Sequence, residues 1–256
     1  MSMTANASDF HFEHSGRCPA CGQATVFTAS GPYFRSTLKC QKCNSVPRNR
    51  ALMHILSQFF PKWRDLIIHE SSPGWDFVSQ RLVRECKFYT ASQYDTSAPF
   101  GSVVEAPRLP CKKYQSENLE DQTFADETFD LVITQDVFEH IFHPDRAIRE
   151  IARTLKPGGA TIMTVPIVLK NRPSRRRASL KNGEIKNLLE PQFHGNPVSN
   201  DGSLVTIDWG YDVVSYLQFH SGLSFMMIQI DNIDIGIRAD LIEVLIGFKH
   251  PIPDLN

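Results

Sequence analysis

The sequence predicts an α/β chain in which a parallel sheet is closed by an antiparallel pair and preceded by a small metal-stapled unit. Three observations predict it. Two cysteine pairs, Cys18-Pro19-Ala20-Cys21 and Cys40-Gln41-Lys42-Cys43, stand eighteen residues apart near the start. Short apolar runs then alternate with amphipathic stretches between positions 66 and 165, the pattern of parallel strands joined by crossover helices. Finally, 224–237 and 239–249 read as two long strands around a short turn at 236–240.

Length and charge narrow the classes. At 256 residues the chain has room for one large domain and a small appendage. Its formal net charge of -1 argues against a protein whose main task is to coat nucleic acid or an anionic membrane, which needs a clear cationic excess. Positions 1–15 lack a basic start followed by an apolar core, and no apolar run approaches membrane-spanning length. A soluble, cytoplasmic protein with no membrane partner is therefore expected. Residues 1–15 read as a frayed tail, 16–50 as a zinc ribbon and 51–256 as the main domain. In a reducing compartment Cys18, Cys21, Cys40 and Cys43 match tetrahedral ligation of one structural zinc ion better than disulfide or redox chemistry. Cys86 and Cys111 have no such neighbours and read as buried or loop thiols.

In the ribbon, Gly22 and Asn44 follow the two knuckles and suit tight turns, with short strands expected near 25–27 and 35–39. A unit this small needs its metal to fold, so Cys40→Ser is expected to unfold the ribbon and spare the rest. Leu52, Ile55, Leu56, Phe59 and Phe60 mark a linking helix that ends at Pro61. Strands are expected at 66–69, 87–90, 131–134 and 161–165, and a helix at 76–85. The Pro-rich stretch up to Pro110 reads as irregular. A further helix starts at Pro144 and Asp145, with proline in the first turn and an acid near the positive end. It places Ile148, Ile151, Ala152 and Leu155 on one face, and Lys156-Pro157-Gly158-Gly159 stops it. The last helix is expected at 210–221.

The run Phe129-Asp130-Leu131-Val132-Ile133-Thr134-Gln135-Asp136-Val137-Phe138-Glu139-His140, followed by Arg149-Glu150-Ile151-Ala152-Arg153-Thr154-Leu155-Lys156-Pro157-Gly158-Gly159, closely resembles the class I S-adenosylmethionine-dependent methyltransferases of the type 11 kind. The resemblance implies a Rossmann-like sheet of seven strands with a C-terminal antiparallel hairpin, S-adenosylmethionine as cofactor, and methyl transfer as the activity. Ligands of such sheets sit outside the carboxyl ends of the strands, which gives three cofactor loops. In the first, the resemblance implies that Glu70 faces the methionine ammonium; the alternative is that it caps the following helix. The turn Ser71-Ser72-Pro73-Gly74-Trp75-Asp76 keeps Gly74 on a family glycine and puts Ser72 and Asp76 at the others. In the second, Ser92 stands where the family has a ribose-binding acid, and Asp95 either reaches back to the ribose or serves the turn. In the third, Asn118 takes the place of the acid that accepts from the adenine amine, with Leu119 beside the ring. Gln135 and Asp136 leave the fourth strand where donor and acceptor meet. The bases on offer for a hydroxyl acceptor are Asp136, His140 and His194, although Glu139-His140 in this family also serves packing and capping.

An insertion at 167–208 reads as a lid or binding surface. Its Lys170, Arg172, Arg175, Arg176, Arg177 and Lys181 suit phosphate, a sugar acid or an RNA backbone, or form a solvated face. His194-Gly195-Asn196-Pro197 and the run from Gly202 to Gly210 read as an acceptor pocket. Three functions follow. The first is methyl transfer to a small-molecule or glycan-type acceptor, with the ribbon as a folding and docking module. The second is RNA base methylation with the ribbon docked on RNA. The third is a non-catalytic scaffold, motivated by the glycine-poor first loop.

Overall fold

The computed structural model describes residues 10–195 and 201–251. Asn196 and Pro197 of the expected pocket, and residues 1–9 of the expected tail, lie outside the described residues. The chain opens with β1 (Phe12–Arg17), β2 (Ala24–Ala29), the one-turn helix α1 (Phe34–Thr37) and β3 (Lys39–Cys40), the three strands pairing antiparallel. Two expectations change here. Residues 12–15, assigned to the tail, form most of β1 because Phe12 and His14 pair with Ala29 and Phe27. Residues 35–37, assigned to a strand, turn helical instead, since the N–H groups of Ser36 and Thr37 bond back to the Tyr33 carbonyl.

Helix α2 (Pro47–Phe59) starts with proline in its first turn, and Asn49 Oδ1 accepts from the Val46 N–H at 3.3 Å. The expected boundary between residues 50 and 51 falls inside this helix. Then come β4 (Ile67–Ser71), α3 (Phe77–Glu85), β5 (Phe88–Gln93), β6 (Val103–Ala106), β7 (Lys112–Ser116), β8 (Phe129–Gln135), α4 (Pro144–Thr154) and β9 (Leu155–Thr164). The insertion carries β10 (Arg175–Arg176), β11 (Ala178–Lys181), β12 (Glu184–Asn187), β13 (Phe193–His194), β14 (Ser203–Leu204) and β15 (Ile207–Asp208). The chain closes with α5 (Val213–Ser221), β16 (Ser224–Ile228) and β17 (Val244–Phe248).

The central sheet runs β16-β17-β9-β8-β4-β5-β7-β6. Seven of these strands have the expected arrangement, five parallel and then an antiparallel pair. The eighth is a correction: β6 lies antiparallel on β7 at the edge, inside the stretch expected to be irregular. The closing strands are shorter than expected, because the residues between them form a 3-10 turn, Ile233–Ile235, that folds back on β1. There His14 Nε2 lies 2.8 Å from Asp234 Oδ1.

The two faces of the sheet are covered differently. One face carries α4 and α5, through Ile148, Ile151, Val213 and Leu217 against Val132, Met163 and Leu245. The other carries α2, α3 and the cysteine unit in one continuous core, where Phe27 and Leu38 join Leu52, Leu56, Ile68, Leu131 and Ile246. Arg50 is fully buried in this core. Its guanidinium donates to the carbonyls of Leu38, Ser45 and Gly236, stacks over Phe27, and has no carboxylate partner among the described residues. Desolvation lowers its pKa to about 10, opposed by the negative field of the four cysteines. Gly236 has φ +67, and a Cβ there would meet the Phe27 ring, so both backbone and space require glycine.

Candidate functional site

The four N-terminal cysteines converge, with ligand atoms all within 4.8 Å of one another and no disulfide among them. Cys18 Sγ and Cys43 Sγ are 3.8 Å apart, and two sulfurs each about 2.3 Å from one tetrahedral zinc ion stand about 3.8 Å apart. The Cys43 hydrogen bond holds the Cys18 thiol down at about 4, while the same bond pushes Cys43 up. The residues fit zinc, and the buried Arg50 beside them suits a cluster of net negative charge.

The carboxyl edge over β4 is built around Glu70, which is completely buried. Ser79 Oγ and Gln135 Nε2 lie 2.7 and 2.9 Å from its Oε1, and the Tyr89 hydroxyl 2.7 Å from its Oε2. The capping role falls instead to Asp76, which accepts from the N–H groups of Val78 and Ser79 at the start of α3. Ser79 Oγ is also 2.9 Å from Asp76 Oδ2. A hydroxyl has one proton and cannot donate to both carboxylates. Neither acid has an ion-pair partner among the described residues. Burial first, then Asp76, raises the Glu70 pKa to about 7. The pair is therefore one positive charge short, which an ammonium group would supply, and the residues here fit the methionine end of the cofactor. Ser72 has φ +59, the left-handed region that glycine favours, so the loop keeps a glycine backbone without the glycine.

The other expected contact residues have partners of their own within the fold. The Ser92 hydroxyl turns into the core, 2.8 Å from His69 Nε2. Asp95 serves its own turn through Ser97 and accepts from the Tyr114 hydroxyl at 2.7 Å. Asn118 Oδ1 accepts from the Glu120 N–H at 3.0 Å, and Leu119 is 8% exposed. Exposed instead are Trp75 and Tyr94, on the loops after β4 and β5. The sequence reading also passed over Ser79, Tyr89 and Asn49. Asn49 Nδ2 lies 3.3 Å from Asp76 Oδ1, which brings the linking helix into the rim.

Beyond β8 the edge changes character. Asp136 has φ +50 and its carboxylate meets Arg35 Nη2 at 2.8 Å and Arg48 Nε at 3.4 Å. It ties the N-terminal unit to the sheet rather than standing as the free base the sequence offered. A cavity of about 140 Å³ opens here, lined by Tyr33, Arg35, Asp136, Glu139, His194 and Asp208 among others. The cysteine unit thus builds one wall of it. His140 and His194 do come together, with ring centroids 5.0 Å apart and planes at 88°. Of the basic insertion residues, Arg175 and Arg177 both meet Asp208 at 2.9 Å, Arg176 donates to the Phe142 carbonyl, and Lys170 lies 3.2 Å from Glu243. Three of the six expected cations thus meet an acid within the fold, while Arg172 and Lys181 are exposed.

This sheet order, with its ligand loops at one rim, is that of the S-adenosylmethionine-dependent methyltransferase fold. Residues 70–163 match the family described as methyltransferase domain, and no curated protein matches the sequence. Among solved structures, an S-adenosylmethionine-dependent methyltransferase from Mesorhizobium loti is 12% identical, with 77% of this chain and 97% of that chain covered at a TM-score of 0.50. A 1,6-didemethyltoxoflavin-N1-methyltransferase from Burkholderia thailandensis, with bound 1,6-didemethyltoxoflavin and S-adenosylhomocysteine, is also 12% identical. It covers 80% of this chain and 78% of its own at a TM-score of 0.51. At such identity the likeness shows the fold. Among the described residues no helix is long and apolar enough to cross a membrane.

Proposed function

We propose that this chain is an S-adenosylmethionine-dependent methyltransferase acting on a small-molecule or glycan-type acceptor, and that its cysteines hold a structural zinc ion. The observation that carries the reading is the Glu70 and Asp76 pair, two acids one cation short on the loop where such a sheet receives its ligand. When bound, S-adenosylmethionine supplies a methyl group on a sulfonium centre, an electrophile that needs alignment and dryness more than acid or base. Glu70 and Gln135 hold the ammonium end, and Tyr94, 61% exposed, offers a face on which adenine stacks. The acceptor enters the cavity past β8, whose wall carries Glu139 and His194.

Two features favour a small acceptor over RNA. The cavity of about 140 Å³ is compact, and the four arginines of the cysteine unit and linking helix have partners within the fold. Arg35 and Arg48 meet Asp136, Arg50 is buried, and Arg17 donates to the Gly22 carbonyl. The scaffold reading draws on a specific observation too, since Glu70 and Ser92 are both satisfied by the protein's own side chains. Calorimetry of the zinc-loaded chain with S-adenosylhomocysteine separates these: stoichiometric binding is expected, and no heat would leave the scaffold. Radiolabelled methyl carried into a metabolite pool rather than RNA is the expected outcome of the turnover assay.

A further inference from the structure

We infer that Glu139, His140 and His194 form a second metal site, for a divalent first-row ion of the zinc kind, distinct from the four cysteines. Glu139 is 1% exposed, and neither of its carboxylate oxygens has a hydrogen-bond partner among the described residues. A buried carboxylate left without donors is costly, and it is kept only where something positive offsets it. Two imidazoles face it. His140 Nε2 and His194 Nδ1 each lie 3.7 Å from Glu139 Oε1. That is too long for a hydrogen bond, yet close to the separation of about 3.4 Å between two nitrogen or oxygen ligands on one tetrahedral ion.

The supporting contacts have the form that metal-bound histidines require. His140 Nδ1 lies 2.9 Å from the Leu204 carbonyl oxygen, which can only accept, so Nδ1 carries the proton. The lone pair of the neutral ring is then on Nε2, aimed at the carboxylate. Two acceptors facing one another need a cation between them. The same two-stranded ladder supplies both halves of this arrangement, because β13 carries His194 and β14 carries the Leu204 carbonyl. Gly202, with φ +76, lets the backbone turn close to the His194 carbonyl, where a Cβ would clash. Two histidines and one carboxylate leave an open coordination position, and Glu139 and His194 line the cavity. If the methyltransferase reading above holds, that position receives an acceptor oxygen; the ion itself does not depend on that reading.

The test uses the full chain with its cysteines already zinc-loaded, titrated with cobalt(II) in the absence of S-adenosylmethionine. One further equivalent is expected, with ligand-field absorption but none of the sulfur-to-metal charge transfer that thiolate ligation gives. Glu139→Gln and His194→Asn should each weaken that equivalent at least about tenfold and leave the zinc content at the cysteines unchanged. His194 is half-exposed, so its replacement tests ligation without endangering the core. Absence of a second equivalent in the wild type, or its survival at equal affinity in both variants, would overturn the inference. A chain that binds the second ion but neither binds S-adenosylhomocysteine nor methylates anything would sink the function reading and leave this site standing.

Discussion

Over the ends of β4 and β5, Glu70 and Ser92 are bonded by the protein's own side chains, whereas past the end of β8 the buried Glu139 carboxylate has no hydrogen-bond donor among the described residues. The first half is a closed network short of one charge; the second is a cavity walled in part by an insertion whose Arg175 and Arg177 are paired with Asp208. On the proposed function, the difference teaches that the two halves of a group-transfer site can be tuned separately, one against a cationic cosubstrate and the other against an acceptor. What joins them is the N-terminal unit, which sends Asn49 to Asp76 on one side and Arg35 to Asp136 on the other.

The largest test of that division is Cys40→Ser. Structural zinc contributes about 10 kcal/mol or more to folding in small cysteine units, and here the unit shares its core with α2 and the sheet. Loss of the metal is therefore expected to abolish cooperative melting and S-adenosylhomocysteine binding together, not to spare the main domain as the sequence suggested. Retention of full affinity in the variant would show the halves to be independent of the cysteines. Next comes Glu70→Gln, expected to weaken S-adenosylhomocysteine by about thirtyfold, from about 2 kcal/mol for a charged hydrogen bond, without changing cobalt uptake at Glu139.

The same residue sets a pH signature. Between the ordinary value of 4.5 and about 7 the folded chain keeps a proton on Glu70 that the unfolded chain has released. This contribution to stability is complete below that window and is lost as pH rises through it. Ligand affinity runs the other way, climbing by up to about tenfold per pH unit until about pH 7, because the ammonium needs the carboxylate. Calorimetry across pH 5 to 8 reads both the slope and its absence in Glu70→Gln.

Smaller effects sharpen the border between the halves. Arg35→Ala should cost about 1 kcal/mol, a melting shift of about 2–4 °C, and a double-mutant cycle with Asp136→Asn should recover most of it as coupling. Tyr94→Ala should weaken S-adenosylhomocysteine about fivefold, near the lower end of base stacking on an aromatic ring. An unchanged affinity would move the adenine elsewhere on the rim.

Legibility in the sequence followed how local each feature is. Cys18, Cys21, Cys40 and Cys43 could be read from spacing because each pair is placed by one tight turn. The parallel strands showed as apolar runs, but Lys112–Ser116 did not, because an outer strand with polar faces has no such run. Ser92 was located by count, and a count gives a position along a strand but not its face; the alternation along β5 puts Tyr89 toward Glu70 and Ser92 toward His69. Glu139 was visible as part of a motif, while its lack of a donor among the described residues depends on where β13 and β14 are laid over it, which no local pattern encodes.

Arg50 and Phe27 close upon Gly236, which lies 186 positions beyond Arg50 in the chain. During synthesis the guanidinium and the ring therefore leave the ribosome long before the backbone they close upon. Throughout that interval the core around them lacks one wall, and an ion captured early by the cysteines would hold their turns in place until translation delivers it.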